Sequence, residues 1–209
     1  MPSTGRLFAT TRAFTLVEVV VILGVVLVLT AVTLPTIVAQ MRTAATRRTA
    51  ERLEAVRDAM YDRRSGANAF HQKINRNPGR LSELSTIITK NDASYATGTD
   101  DSCGNAFKNA QVTDWENNGP FVNFHIDRVN GLETPIGRAE DSLTRIPSGG
   151  GPGVLRVNFL NNVDVEDATM LDMEMDGGDG NAAGTVQWLL PASAGRVTMY
   201  YFIPVNEDC

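Results

Sequence analysis

Apolar residues are concentrated in one stretch near the N-terminus. Residues 19–41 contain no charged side chain, whereas the chain after this stretch is polar enough for a globular domain. A helix needs about 20 apolar residues to cross a bilayer, so this run is long enough. It is too long for the apolar region of a secretory signal, about 7–15 residues, so we expect it to stay in the mature protein. Residues 1–13 contain two arginines and no acid, which predicts a cytoplasmic N-terminus by the positive-inside rule.

The helical pattern continues beyond the apolar stretch. Residues 40–64 lack Gly and Pro and are rich in Ala, Arg, Glu and Met, which are good helix formers. The apolar side chains in this part fall near one helix face, which predicts an amphipathic half that packs on a sheet: Ala45, Leu53, Val56 and Met60. We expect one helix that ends at Ser65-Gly66, with two helices bent at Pro35 as the alternative.

Short elements follow in the remainder of the chain. We expect residues 89–119 to form a loop, and a short helix to precede them after the turn at Asn77-Pro78-Gly79. The pattern predicts a helix over residues 166–175 and strands over four segments: 121–126, 154–160, 185–190 and 196–203. The fold class is therefore α+β, with a long N-terminal helix packed on a small antiparallel sheet. The helix is expected to be transmembrane in its first half (14–40) and amphipathic in its second half (41–64). The sheet lies within a globular domain of residues 65–209.

Composition and motifs give no indication of nucleic-acid binding or catalysis. The net charge is −5, and no basic cluster indicates nucleic-acid binding. No motif positions a nucleophile or a metal-binding histidine, so we predict no catalytic residues. Cys103 and Cys209 form either one disulfide or two free thiols, and export to an oxidising compartment favours the disulfide.

Glu18 is the one acid at the edge of the apolar run. A carboxylate there costs free energy unless it is paired or near water. Considered alone, Glu18 lies in the headgroup region or serves a pairing role, and both interpretations stay open.

The segment Arg12-Ala13-Phe14-Thr15-Leu16-Val17-Glu18, which runs directly into an apolar helix, resembles the processing site of type IV pilins and type II secretion pseudopilins. The resemblance implies that a prepilin peptidase cuts between Ala13 and Phe14 and that the new amino group of Phe14 is methylated. The family usually has glycine at the position of Ala13. Residues 1–13 are then a leader peptide.

The resemblance also implies roles for two residues in filament assembly. The carboxylate of Glu18 would neutralise the Phe14 amino group of a neighbouring subunit inside an apolar core, because a buried pair is tolerated where a lone charge is not. Pilins carry a proline at the distance of Pro35 from the processed N-terminus, and proline favours a kink there.

Segment 171–189 is a second point of resemblance, because many pilin-like proteins of the secretion type have an acidic helix end, an Asp/Gly-rich turn and then a strand at this place. Some pseudopilins bind calcium in such a C-terminal loop. Four acids are candidate calcium ligands here: Asp172, Glu174, Asp176 and Asp179. Their spacing does not match an EF-hand, and ordinary turn chemistry is the alternative interpretation.

We therefore predict a structural subunit of a type IV pilus or a type II secretion pseudopilus. Its implied partners are the prepilin peptidase and methyltransferase, identical or related pilin subunits, and an inner-membrane assembly platform. Its implied location is the bacterial inner membrane, crossed once with the N-terminus cytoplasmic, and then an extracellular or periplasmic filament. The alternatives are a minor pilin with a ligand- or DNA-binding head, and a single-pass anchored binding protein that is never cleaved.

Overall fold

The computed structural model describes residues 15–61, 69–87, 101–102, 109–148, 151–160, 163–189 and 195–205. The helices are α1 (Leu16–Tyr61), α2 (Phe70–Ile74), a 3₁₀ helix (Leu81–Leu84), α3 (Asn109–Asn118) and α4 (Val165–Asp176). The strands are β1 (Leu132–Thr134), β2 (Gly137–Ser148), β3 (Gly151–Leu160), β4 (Val163–Asp164), β5 (Val186–Leu189) and β6 (Arg196–Pro204). The chain divides into two compact units between Met41 and Arg42.

Helix α1 confirms the predicted long N-terminal helix, and it is continuous through Pro35. Its second half buries one stripe, in which Leu53, Val56 and Met60 are almost fully inaccessible to solvent. Thr46 and Thr49 extend this stripe, and each hydroxyl donates to the backbone carbonyl four residues earlier, so both buried hydroxyls have a partner. The predicted amphipathic face is therefore the packed face.

The sheet is antiparallel, with strand order β1-β2-β3-β6-β4, and β5 also pairs with β6. Alternate residues of β3 and β6 point into the core against α1: Leu155, Val157 and Phe159 of β3, and Met199, Tyr201 and Ile203 of β6. The hydroxyl of Tyr201 donates to the Leu53 carbonyl oxygen at 3.4 Å. The α+β class with a long helix on a small antiparallel sheet is thus confirmed.

Helix α4 has clear start and stop signals. The carboxylate of Asp164 accepts a hydrogen bond from the Glu166 backbone N–H at 3.0 Å, which caps the first turn. Gly177 ends the helix in the left-handed region, with φ of 75°, a conformation that favours glycine. The predicted helix and the predicted final strands agree with α4, β5 and β6 within about two residues.

Two expectations about the middle of the chain were wrong. Residues 109–118, expected to be loop, form helix α3, and residues 121–126, expected to be a strand, form bends in which Val122 and Ile126 are buried. Strands β1, β2 and β4 were not predicted. The expected helix end at Ser65-Gly66 lies outside the described residues, as do residues 89–100 and 103–108 of the expected loop.

Replacing Leu53 with alanine is expected to lower the free energy of unfolding by about 2–5 kcal/mol, because a buried leucine leaves a cavity. The measurement is thermal unfolding of the full chain in detergent micelles, followed by circular dichroism. Glu51→Ala is the matched control, since Glu51 lies exposed on the same helix. Equal midpoints for the two variants would contradict the assignment of this face to the core.

Candidate functional site

The first half of α1 presents an apolar surface. Every large apolar side chain from Leu16 to Met41 is between 45% and 80% exposed. By its length and composition this helix can cross a membrane. Residues 16–41 extend about 39 Å at ~1.5 Å per residue, which exceeds the ~30 Å thickness of a bilayer's hydrocarbon core.

Glu18 lies in the first turn of α1, where its side chain is exposed. Its backbone N–H donates to the Thr15 hydroxyl at 3.2 Å, so Thr15 caps the helix. Thr15 and Glu18 have the spacing of a capping box, a pattern that accepts either Glu or Gln at its last position. A negative charge in the first turn also interacts favourably with the helix dipole. The structure thus supplies a local role for Glu18 that the sequence interpretation did not consider.

Pro35 lies inside α1. Because proline has no N–H, the carbonyl of Ala31 lacks its helical donor. Two threonine hydroxyls donate to carbonyls just before this point, Thr30 to Val26 at 2.8 Å and Thr33 to Leu29 at 3.0 Å. These two hydroxyls are therefore satisfied within the helix.

Four residues of the sequence predictions lie outside the described residues: Ala13, Phe14, Cys103 and Cys209. The cleavage site, the methylated amino group and the disulfide stay predictions.

A cluster of carboxylates forms where α4 turns into β5. Asp172 and Asp176 are one helical turn apart, and Asp179 approaches them from the loop, so that one oxygen from each lies within 4.8 Å of the others. We call these three residues the acidic cluster. Glu174 lies outside it, with a carboxylate oxygen 3.8 Å from the Arg47 Nε.

Asp176 holds the loop between α4 and β5 in place. Its carboxylate accepts hydrogen bonds from the backbone N–H groups of Thr185 and Val186 at 2.9 and 2.7 Å, and from the Thr185 hydroxyl at 2.7 Å. These bonds tie the end of α4 to the start of β5. Gly184 passes so close that an added Cβ would lie 2.7 Å from carboxylate oxygens of Asp176 and Asp179, and its φ is +73°. A side chain at this position would displace the carboxylates.

Asp172 is the buried member of the acidic cluster, with 2% of its surface exposed. One carboxylate oxygen accepts a hydrogen bond from the Gly180 N–H at 3.2 Å. The other, Oδ1, is buried and has no hydrogen-bond partner. Such an orphaned charged atom is costly in a folded protein.

The pKa of Asp172 is raised above its ordinary value, chiefly by burial. The Gly180 N–H opposes this effect, while the neighbouring carboxylates of Asp179 and Asp176 add to it. Three clustered carboxylates, one of which has a buried and unpartnered oxygen, are suited to a hard divalent cation such as calcium. Asp172, Asp176 and Asp179 could hold it, and Glu174 could not without leaving Arg47.

Comparison of the chain with protein-family models, with curated proteins and with solved structures finds no match.

Proposed function

We propose that the chain is a subunit of a type IV pilus or a type II secretion pseudopilus. The observation that carries the proposal is the exposed apolar surface of residues 16–41, which begins directly after Thr15 and carries its one acid in the first turn. An exposed apolar helix surface of this size needs a bilayer or other helices to cover it. A filament subunit uses both in succession, first as a membrane-anchored precursor and then in the filament core.

The proposed sequence of events starts at the inner membrane with the N-terminus cytoplasmic. A prepilin peptidase removes residues 1–13 and the Phe14 amino group is methylated. The assembly platform then extracts the subunit, and Glu18 pairs with the Phe14 amino group of a neighbour. The domain after Met41 becomes the head of the subunit, facing the periplasm or the exterior.

Two other functions compete with this one. A minor pilin would use the same helix and add a ligand- or DNA-binding head. A single-pass anchored protein would keep its full length, because it needs no new amino group.

Removal of the leader peptide distinguishes the two pilin functions from a single-pass anchored protein. We expect cleavage between Ala13 and Phe14, which leaves 196 of the 209 residues and removes Arg6 and Arg12. The measurement is the intact mass and N-terminal sequence of membrane-extracted protein, with a strain lacking the peptidase as the control. A mature protein that begins at Met1, or at any residue after Gln40, would exclude the pilin function.

The acidic cluster supports a second activity of the head, the binding of one calcium ion. Its support is the buried, unpartnered Oδ1 of Asp172 between two further carboxylates. A bound cation would neutralise this cluster and fix the loop that Asp176 ties to β5. Calcium would then stabilise the head without taking part in a reaction.

A further inference from the structure

The outer face of the sheet has a groove with aromatic walls. The groove has a volume of about 340 Å³ and lies across β3, β6 and β5, where it is lined by Arg156, Tyr200, Phe202 and Leu189 among others. The ring centres of Tyr200 and Phe202 are 6.4 Å apart. Leu189 is 62% exposed, so an apolar part of this lining lacks a cover within the described structure. We call this feature the sheet groove.

Among the described residues that line the sheet groove, Arg156 is the charged one. Its guanidinium carbon lies 5.0 Å from the centre of the Tyr200 ring, a cation–π contact. The Nε of Arg156 is buried without a hydrogen-bond acceptor. The Arg156 side chain forms no ion pair with any carboxylate in the described parts of the chain. The groove is therefore complementary to an apolar side chain accompanied by a carboxylate.

The loop of residues 127–131, just before β1, presents such a combination. Val129 at its tip is 87% exposed, the highest exposure of any large apolar side chain in the described structure. The loop is held closed by backbone hydrogen bonds of 3.1 and 2.8 Å between Asp127 and Gly131. The Asp127 carboxylate also accepts from the Val129 and Asn130 N–H groups at 2.8 and 2.6 Å. We call this rigid loop the knob loop.

The knob loop also carries the carboxylate of Asp127, and its one cation, Arg128, donates from a guanidinium N–H to the Ile87 carbonyl at 2.6 Å. The backbone N–H of Asn130, followed by that of Val129, holds the pKa of Asp127 below its ordinary value. Asp127 is thus ionised at neutral pH, and it lies two residues from the exposed Val129.

The two features lie toward opposite edges of one sheet. The knob loop leads directly into β1, which is an edge strand, whereas the sheet groove lies beyond β2, on β3, β6 and β5. A knob and a groove on different surfaces make a heterologous contact, which repeats from copy to copy and forms a ring when the rotation closes or an open helical assembly when it does not. A second copy of the chain is therefore the occupant that fits both features.

We propose that the knob loop of one subunit docks into the sheet groove of the next, with Val129 against Tyr200 and Phe202 and the Asp127 carboxylate beside Arg156. This contact rests on the proposed filament function, which holds neighbouring heads at high effective concentration. It gives the heads a defined order around the helical core.

Cross-linking tests the contact. Val129→Cys and Leu189→Cys are combined in one chain, as both positions are exposed and substitutions there are tolerated. Filaments from a strain without the unsubstituted gene are treated with a short bifunctional maleimide. We expect a ladder of covalent oligomers from the double variant, only dimers from a mixture of the two single variants, and only monomers from either single variant or from the unsubstituted chain.

The outcomes separate this inference from the proposed function. Assembled filaments of the double variant that yield only monomers overturn the contact, and a ladder that stops at dimers overturns its head-to-tail order. Both results leave the filament function standing. An unsubstituted chain that forms no filaments contradicts the filament function itself.

A charge reversal tests the pairing without cysteines. Arg156→Glu faces Asp127 with a like charge, so it is expected to lower the yield of sheared filaments about tenfold. Arg156→Lys keeps the positive charge and is the matched control, expected to stay within about twofold of the unsubstituted chain. Equal yields from the two variants would overturn the proposal.

Discussion

Replacing Glu18 with glutamine is expected to abolish filament assembly while membrane insertion and leader removal continue. In the proposed filament core, the carboxylate of Glu18 neutralises the amino group of a neighbouring Phe14. Glutamine leaves that amino group buried without its partner, which costs about 3–5 kcal/mol. Because each 1.4 kcal/mol is a tenfold change in an equilibrium constant, subunit addition weakens by roughly 100-fold or more. The measurement compares sheared-filament yield with membrane-fraction yield in a strain that has no unsubstituted copy.

The capping role of Glu18 predicts a different result. Its backbone N–H, which binds the Thr15 hydroxyl, is unchanged in the variant. A capping box accepts glutamine, and the lost interaction with the helix dipole is worth only about 0.3–1 kcal/mol. If Glu18 acts only as a helix-capping residue or a headgroup neighbour, Glu18→Gln assembles normally.

Two control variants distinguish the pairing of Glu18 with Phe14 from a helix-capping role. Thr15→Ala removes the hydroxyl acceptor and keeps the charge, at a cost of about 1 kcal/mol, so we expect cleaved subunits that still assemble. Glu51→Gln removes an exposed charge from the second half of α1 and should assemble as the unsubstituted chain does. Normal filaments from Glu18→Gln, or failure of Thr15→Ala after correct cleavage, would contradict the pairing of Glu18 with Phe14.

The long helix could be predicted from the sequence because its signals are local and repeated. The uncharged run of residues 19–41 and the stripe at Leu53, Val56 and Met60 persist over many turns. The final strand β6 alternates buried and exposed residues along its whole length, which is the signal of a half-buried strand.

The middle of the chain has weaker local signals. Strand β2 has the sequence GRAEDSLTRIPS, in which charged and polar residues outnumber apolar ones, and its register shifts between Ala139 and Leu143. Its position depends on pairing with β3, a contact that no local pattern encodes. Helix α3 contains just two large apolar residues, Val112 and Trp115, and Trp115 is fixed by donating from its Nε1 to the Glu83 carbonyl at 2.7 Å.

The acidic cluster was only partly predictable. Asp172 and Asp176 share a helix face because they are four residues apart, and that spacing would have excluded Glu174, which is two residues from each. The approach of Asp179 and the close passage of Gly184 depend on how the loop folds back onto β5, which follows from hydrogen bonds to Asp176. The burial of Asp172 is likewise a property of the assembled core.

Calcium is expected to stabilise the head, and Asp172→Asn to remove that effect. A ligand at 100 times its dissociation constant adds about 2.7 kcal/mol to the free energy of unfolding, which corresponds to roughly 5–11 °C in the midpoint for a domain of this size. The measurement is thermal unfolding of the full chain in detergent micelles, in calcium and in a chelator. Glu174→Gln is the matched control, because it removes a nearby acid that pairs with Arg47 outside the acidic cluster.

The stability of the head should change with pH in opposite directions without and with calcium. The raised pKa of Asp172 means that the folded state binds its proton more tightly than the unfolded state does. Without calcium, this residue therefore destabilises the fold at neutral pH, and the destabilisation is relieved as the pH falls through the raised pKa toward 3.8. With calcium, protons compete with the cation, so the calcium-dependent part of the stability is lost on acidification.

Asp172→Asn imitates the protonated residue. The variant should therefore lose both the destabilisation seen without calcium and the stabilisation by calcium. The asparagine can still accept from the Gly180 N–H, and its amide can donate toward Asp176 or Asp179 where the orphaned oxygen of Asp172 now lies. Its midpoint in chelator should match or exceed that of the unsubstituted chain, and calcium should no longer raise it. Glu174→Gln should keep the full response to calcium. If calcium raises the midpoints of the unsubstituted chain and Asp172→Asn equally, or leaves both unchanged, the acidic cluster is a turn held by Asp176 and not a cation site.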